Sequence, residues 1–297
     1  MINFYFSYQP IIDFFLLSVG FGYSQQIALR AGVFSIATAG FAALGAYAVA
    51  LLVVKAGVPI VLAVIVGTLV GGIAGGLLSV PLARLRGAFQ AIATLAFVQV
   101  VVSLLLYGES ITGGALGING IPRAVNTPIL LVMVLVTMYF VYAIGRSGVG
   151  RAFDALRQDE TVAASLGVSI RRYHALAFVI SGLIGGLFGG LQSLYVFSIE
   201  PSQFGFHFMV MALTVVVLGG RATLFGPIAG AAILAILPEV ARPLAEYRPA
   251  VNGIILILVI IFMPAGVGDS LVHYLRNRGK LRKAAAIKEK ARAVPSA

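Results

Sequence analysis

The chain contains no cysteine and no tryptophan, and only 10% of its 297 residues are charged. Without cysteine there is no disulfide framework, no thiol nucleophile and no thiolate metal site, and the redox compartment is left open. The scarcity of charge excludes an ordinary soluble domain, in which roughly 25% of residues are charged. Residues 58–82 and 174–199 hold no Asp, Glu, Lys or Arg at all. Each run is longer than the roughly 20 apolar residues that cross a bilayer at about 1.5 Å per residue. A Gly-x-x-x-x-Gly-Lys-Ser/Thr phosphate loop is also missing, so the chain does not itself cradle ATP in the usual way. Its three histidines, His174, His207 and His273, stand far apart at segment ends. They lack the spacing of a helical metal site, and no Ser/His/Asp arrangement suggests a hydrolase.

What is present is apolar: 60% hydrophobic residues and 35 glycines. Nine apolar segments can be drawn, at about residues 10–29, 33–54, 58–82, 88–107, 128–145, 173–199, 206–220, 226–241 and 249–266, within a range of eight to ten. The expected fold is therefore an all-α polytopic membrane protein. Loop Lys and Arg mark the cytoplasmic side. With the N-terminus outside and the C-terminus cytoplasmic, 17 of the 21 basic residues fall inside, and only Lys55, Arg123, Arg242 and Arg248 fall outside. The net charge of +11 comes largely from Arg276 to Arg292, a juxtamembrane tail suited to anionic lipid at about 1 kcal/mol per cation near the surface, and nucleic acid is the weaker reading. Residues 1–275 read as one transmembrane permease-like domain and 276–297 as a basic cytoplasmic tail. The opening residues lack a basic stretch and place Asp13 among apolar neighbours, which argues against a cleaved signal peptide.

Glycines recur four apart at Gly67, Gly71 and Gly75 and again at Gly182, Gly186 and Gly190, a pattern that lets helix backbones approach in lipid. Segments seven and eight are short and joined by Gly219 to Pro227, which fits either a broken or re-entrant pair or two tilted helices with a tight loop. Ionisable residues are nearly absent from the spans, Asp13 being the exception, and this counts against ion-coupled transport. Uncharged polar residues remain as pathway candidates: Ser35, Thr38 and Tyr47 in segment two, and Gln90, Thr94 and Gln99 as one broad stripe in segment four. Ser181, Gln192, Ser193 and Thr214 follow further along. Interhelical hydrogen bonding is the alternative use of each. Such a neutral set suits a zwitterionic or uncharged solute.

The stretch 150–167, within a cytoplasmic segment 146–172, breaks the membrane pattern and reads as two short amphipathic helices. Phe153 and Leu156 share a face, with Arg151, Asp154 and Arg157 around it; Asp159 and Glu160 favour a second helix start and Gly167 a stop. Such an elbow either docks a soluble partner or lies as a solvated interfacial loop. Here the sequence resembles the permeases of branched-chain amino acid ABC importers. The run from Arg157 to Gly167 (Arg-Gln-Asp-Glu-Thr-Val-Ala-Ala-Ser-Leu-Gly) looks like their coupling segment. Ala31 to Ser35, Leu44 to Tyr47, Leu82 to Gly87, Thr112 to Gly114, Ala177 to Ser181, Phe225 to Pro227 and Met263 to Val267 follow in the same order, so that the likeness spans roughly residues 30–268.

The resemblance implies an inner-membrane subunit, bacterial or archaeal, that pairs with a second similar permease, two cytoplasmic ATPase subunits holding ATP-Mg, and a periplasmic or extracellular solute-binding protein. It implies ATPase coupling through Arg151, Phe153, Leu156, Arg157, Asp159, Glu160 and Gly167, and no cofactor in this chain. Three features depart from the pattern: Ala37-Thr38 stands where the family usually has Gly-His, the first span carries Asp13, Gln25 and Gln26 where the family's is cleaner, and Glu160 precedes Gly167 by seven positions rather than six. A carrier or channel for a small neutral solute, working without an ATPase, is the rival reading; a non-transport membrane scaffold or enzyme is a weaker one.

Overall fold

The structure is a computed structural model and describes residues 2–240 and residue 266. The ninth apolar segment, apart from Gly266, and the basic tail lie outside the described residues. The helices are α1 (Ile2–Arg30), α2 (Thr38–Val54), α3 (Ile60–Leu82), α4 (Ala88–Tyr107), α5 (Glu109–Thr112), α6 (Thr127–Arg146), α7 (Gly148–Gln158), α8 (Glu160–Ser165), α9 (Ile170–Tyr195), α10 (Phe206–Gly219) and α11 (Gly226–Val240). Two short antiparallel strands, β1 (Ile118–Asn119) and β2 (Ser198–Ile199), pair Ile118 with Ile199 and Asn119 with Ser198. Helix dominates because a chain in hydrocarbon has no water to satisfy its backbone.

Each of the first eight apolar segments contains one principal helix. Among the described residues, five helical stretches, Ile60–Leu82, Ala88–Tyr107, Thr127–Arg146, Ile170–Tyr195 and Pro201–Gly219, are long and apolar enough to cross a membrane. The last of these joins α10 to a preceding 3-10 turn, Pro201–Phe204. α1 is longer but diluted by Asp13, Ser24, Gln25 and Gln26, and α2 has only 17 residues. Segment two differs from its sequence reading at its start. Residues 33–37 are apolar yet not helical, because α1 ends in a left-handed Gly32 (φ 84°), whose amide bonds Leu29 O while the Val33 amide bonds Ala28 O. α2 begins only at Thr38, already inside the bundle.

α9 is the central helix: 72% of its most apolar window is buried, against 22% for α6 and 28% for α4. It packs most extensively on α3, then on α2 and α1. The glycine spacing does what the sequence suggested. A methyl placed on Gly186 would lie 2.7 Å from Gly67 O and 3.0 Å from Gly71 Cα, while Gly45 of α2 faces the Gly186 backbone. Three backbones therefore meet at one point that only glycine permits. The outward faces of α3, α4 and α6 expose Ile65, Leu69, Ile92, Leu104, Val132 and Val136. Surfaces of this kind are stable against acyl chains, not against water.

Candidate functional site

The elbow is a clamped, capped unit. Ser147 accepts the Val149 amide at 3.2 Å to open α7. Phe153 and Leu156 are fully buried and point into the bundle, Phe153 packing edge-on against Tyr173 at 6.4 Å. On the next face Asp154 forms a two-pronged pair with the last residue of α1: Arg30 Nε donates to Oδ1 at 2.9 Å and Nη2 to Oδ2 at 2.8 Å. Gly32 has no side chain because the backbone of Leu156 and Arg157 runs past it, with Arg157 Cα 3.3 Å from where a methyl would stand. The Arg157 Nε is buried and finds no hydrogen-bond partner among the described residues.

Asp159 starts α8, accepting the amides of Thr161 at 2.7 Å and Val162 at 3.0 Å. These bonds hold its carboxyl below the usual carboxylate range, Val162 contributing most and Thr161 next. Gly167, at φ 85°, ends the helix: its amide bonds Ala164 O and that of Val168 bonds Ala163 O, both at 3.0 Å. Glu160 is turned back toward the bundle, with Oε2 3.5 Å from Arg86 Nε and Oε1 4.0 Å from His174 Nε2.

These placements sort the residues chosen from sequence. Phe153 and Leu156 anchor the elbow and present nothing outward. Asp159 is a helix cap, Gly167 a helix stop, and Glu160 and Arg157 face partly inward. Arg151 alone of the charged set is a free outward cation, although its Nη1 also bonds Arg146 O at 3.3 Å. The elbow also offers its surroundings an apolar pair: Val162 is 56% exposed and Leu166, just past the end of α8 and one turn on, 77% exposed. Sequence reasoning missed both, together with Arg30, Arg86 and His174. An apolar pair four apart on a short, otherwise polar helix was the available signal.

Of the pathway candidates, Ser35, Thr38, Tyr47, Gln90 and Thr94 are buried and Gln99 is not. The stripe on α4 is therefore corrected to Gln90 and Thr94. Nine residues at about 100° each turn Gln99 to the opposite, outward face. Three of the buried residues, Ser35, Thr38 and Thr94, gather where α2 starts. Thr38 Oγ1 donates to Gln25 Oε1 at 2.8 Å, Gln25 Nε2 donates to Ser35 O, and the Ser24 hydroxyl donates to Ser181 O at 2.8 Å. Thr94 Oγ1 accepts the Ile36 amide at 3.2 Å, linking α4 to the non-helical stretch. Gln90 instead bonds Leu85 O at 2.9 Å on its own side of α4. Tyr47 stands apart, its hydroxyl 3.5 Å from Ile199 O in β2. Ser24 and Gln25 of α1 complete a neutral cluster joining α1, α2, α4 and α9. Ala37-Thr38, the pair that departs from the family pattern, lies at its centre.

α10 and α11 form a hairpin packed on α1. Gly22 sits where Val215 of α10 and Pro227 of α11 converge, 2.7 and 2.9 Å from the position of an added methyl. The turn between them is held by Tyr23, whose hydroxyl donates to Leu224 O at 3.0 Å, and by Gln26, whose Nε2 donates to Thr223 O at 2.6 Å. Gly266 lies against Gly219 and Gly220 at the same turn. Asp13 is fully buried in α1 with the Tyr195 phenol as its polar neighbour.

A helical bundle with lipid-type outer faces, a glycine-packed centre, a neutral polar cluster at a helix break and a rigid non-membrane elbow defines a multi-pass membrane protein of the permease class. The chain belongs to the family described as "Branched-chain amino acid transport system / permease component", whose model matches residues 12–264. It is 31% identical over 307 residues to the high-affinity branched-chain amino acid transport system permease protein LivM of Escherichia coli K12, covering 92% of this chain and 71% of that protein. The Salmonella typhimurium LivM is 31% identical over 283 residues, which is 84% of this chain and 66% of the relative. The permease protein LivH of Escherichia coli K12 is 29% identical over 197 residues, 62% of this chain and 64% of its own length. No solved structure matches.

Proposed function

We propose that the chain is the membrane-spanning permease subunit of an ATP-binding-cassette importer, forming the translocation pathway for branched-chain or other small neutral amino acids. Membership of the permease family and the names of the LivM and LivH relatives support the class. The observation that carries the mechanism is the elbow, where α7, tied to α1 through Arg30 and Asp154, leads into the capped α8 that presents Val162 and Leu166. A partner ATPase seated there would pull on the end of α1, and α1 shares the polar cluster at the α2 break. The neutral cluster favours a zwitterionic solute over an ion.

In this reading the chain crosses the membrane nine times with its N-terminus outside and its C-terminus inside, in the cytoplasmic membrane of a bacterium or archaeon. Segments seven and eight are taken as two tilted helices joined by a tight loop, a reading supported by the length and apolarity of Pro201–Gly219. The partners are a second homologous permease, two ATP-binding subunits that hold ATP-Mg, and a periplasmic or extracellular solute-binding protein. Anionic lipid attends the tail at residues 276–292, outside the described residues.

Reconstituted with those partners in proteoliposomes, the chain should import leucine only when ATP is supplied. The double variant Val162→Asp with Leu166→Asp should lower coupled ATP hydrolysis at least tenfold while leaving the permease folded by circular dichroism. Normal coupling in that variant would remove the docking assignment, and uptake by the permease without any ATPase would favour a carrier.

A further inference from the structure

At the elbow end of the bundle, a pocket of about 180 Å³ opens between α1, α6 and the turn joining α10 to α11. Gln26, Arg30, Tyr142, Arg146 and Thr223 line it beside Val141 and Leu224, a more polar wall than that of the apolar cleft bounded by Ile65, Leu69 and Met133. Two cations converge on it. Arg30 spends Nε and Nη2 on Asp154, leaving Nη1 beside Gly145, where a methyl would lie 2.9 Å away, with no hydrogen bond among the described residues. Arg146 lies over the Tyr142 ring, its guanidinium carbon 5.5 Å from the centroid, and donates through Nη1 to the Tyr142 hydroxyl at 2.7 Å; its Nε and Nη2 hold no partner among the described residues. Asp154 is the carboxylate paired with Arg30, and Arg151 stands beside Arg146 with its Nη1 on Arg146 O at 3.3 Å, so the site is net positive.

A third group points to a ligand. Gln26 is 2% exposed and its Nε2 is used on the turn, but Oε1 is buried without a hydrogen-bond partner. An orphaned buried acceptor costs free energy unless a donor arrives to meet it. The ligand that fits therefore carries an anionic oxygen for the arginines and an N–H or O–H for Gln26.

The pocket's setting says where that ligand comes from. Arg30 and Arg146 are the last residues of α1 and α6. Tyr139, Phe140 and Tyr142 are exposed on the final turns of α6, the level at which aromatic side chains sit among headgroups. α6 is also the least buried of the membrane-length helices. We propose that this pocket binds a phospholipid headgroup carrying a donor beside its phosphate, the chemistry of phosphatidylglycerol and phosphatidylethanolamine. The phosphodiester lies on Arg146 and Arg30 Nη1, and the headgroup hydroxyl or ammonium meets Gln26 Oε1. The phosphodiester charge is opposite in sign to the net positive site. The site is distinct from the basic tail, and it holds whichever way the bundle is oriented.

Native mass spectrometry of the purified full-length chain, delipidated and titrated with defined lipids, tests this. The unsubstituted protein should retain phosphatidylglycerol or phosphatidylethanolamine in preference to phosphatidylcholine, which has no headgroup donor. Arg146→Gln should lower that retention about fivefold, in line with the loss of one cation near a lipid surface. The basic tail is unchanged in the variant, so the difference reads the pocket. Should Arg146→Gln fold poorly, Tyr142→Phe removes the hydroxyl that holds Arg146 and should lower retention two- to threefold with an unchanged melting temperature. Equal retention by the unsubstituted protein and a folded variant overturns the proposal, as does equal retention of phosphatidylcholine. Displacement of the lipid by millimolar inorganic phosphate would also overturn it, marking a free-phosphate site.

Discussion

Arg30 and Asp154 show how a single contact sets the geometry of the elbow. They lie 124 positions apart and meet through two short charge-assisted bonds in a partly buried setting. Such bonds contribute about 1–2 kcal/mol where solvent still reaches one partner. Asp154→Asn is expected to loosen α7 from α1 without unfolding the bundle. Trypsin should then cut at Arg151 or Arg157 several-fold faster, and ATP hydrolysis should uncouple from transport in the reconstituted importer. The exchanged pair, Arg30→Asp with Asp154→Arg, should recover part of both. Cleavage and coupling unchanged in Asp154→Asn would mean that the buried Phe153 and Leu156 hold the elbow by themselves.

Asp159 acts locally. Its carboxyl sits below the ordinary value in the folded chain, so its contribution to α8 is fully present above that ordinary value and is lost as pH falls through the lowered one. Amide exchange at Thr161 and Val162, corrected for intrinsic rate, should lose protection on acidification in that window. It should lose protection at neutral pH in Asp159→Ala. Asp159→Asn, which keeps a capping oxygen, should retain most of it.

At the scale of elements, helix contacts explain why glycines that look alike in sequence differ in consequence. Gly71 and Gly76 belong to the same helix and the same glycine-rich run. Gly71 lies against the α9 backbone, whereas a methyl at Gly76 would meet only Val179 Cγ2 at 3.5 Å, an ordinary contact. Gly76→Ala should be tolerated within about 0.5 kcal/mol, and Gly71→Ala should cost about 1–3 kcal/mol by forcing α3 and α9 apart. The melting temperature of detergent-purified protein measures both, and equal shifts would contradict the packing. The spacing of four that groups Gly67, Gly71 and Gly75 leaves Gly76 off the stripe, and the close backbone contacts follow the same division.

The start of α2 resisted reading for a related reason. Residues 33–37 are as apolar as the helix that follows, and only the turn at Gly32 and the bonds from Ser24, Gln25 and Thr94 mark the break. Helix positions were legible because lipid leaves the backbone few options. Ties between distant residues, such as Gln26 to the turn at Thr223, leave no periodic trace. Gln99 lies about 180° round α4 from Gln90, and so falls outside the stripe.

For the whole molecule, the uneven distribution of cations links bundle, elbow and orientation. The elbow and Arg30, Arg84, Arg86 and Arg146 are ends of helices that return to one level, and Lys55 lies at the other, where its ammonium donates to Ser110 O and Ile111 O at 3.3 and 2.6 Å. If loop cations mark the cytoplasm, the elbow faces the compartment that holds ATP, and the α4–α5 junction faces outward. The absence of cysteine makes this testable without preparing a thiol-free background. Ser110 and Ser165 are both exposed, at opposite ends of the bundle. In intact cells a membrane-impermeant maleimide should label Ser110→Cys and leave Ser165→Cys unmodified until the membrane is opened. Co-expression of the ATPase should then shield Ser165→Cys, one residue from Leu166, in opened membranes. Labelling in the reverse order would invert the bundle and place the elbow out of reach of any cytoplasmic ATPase.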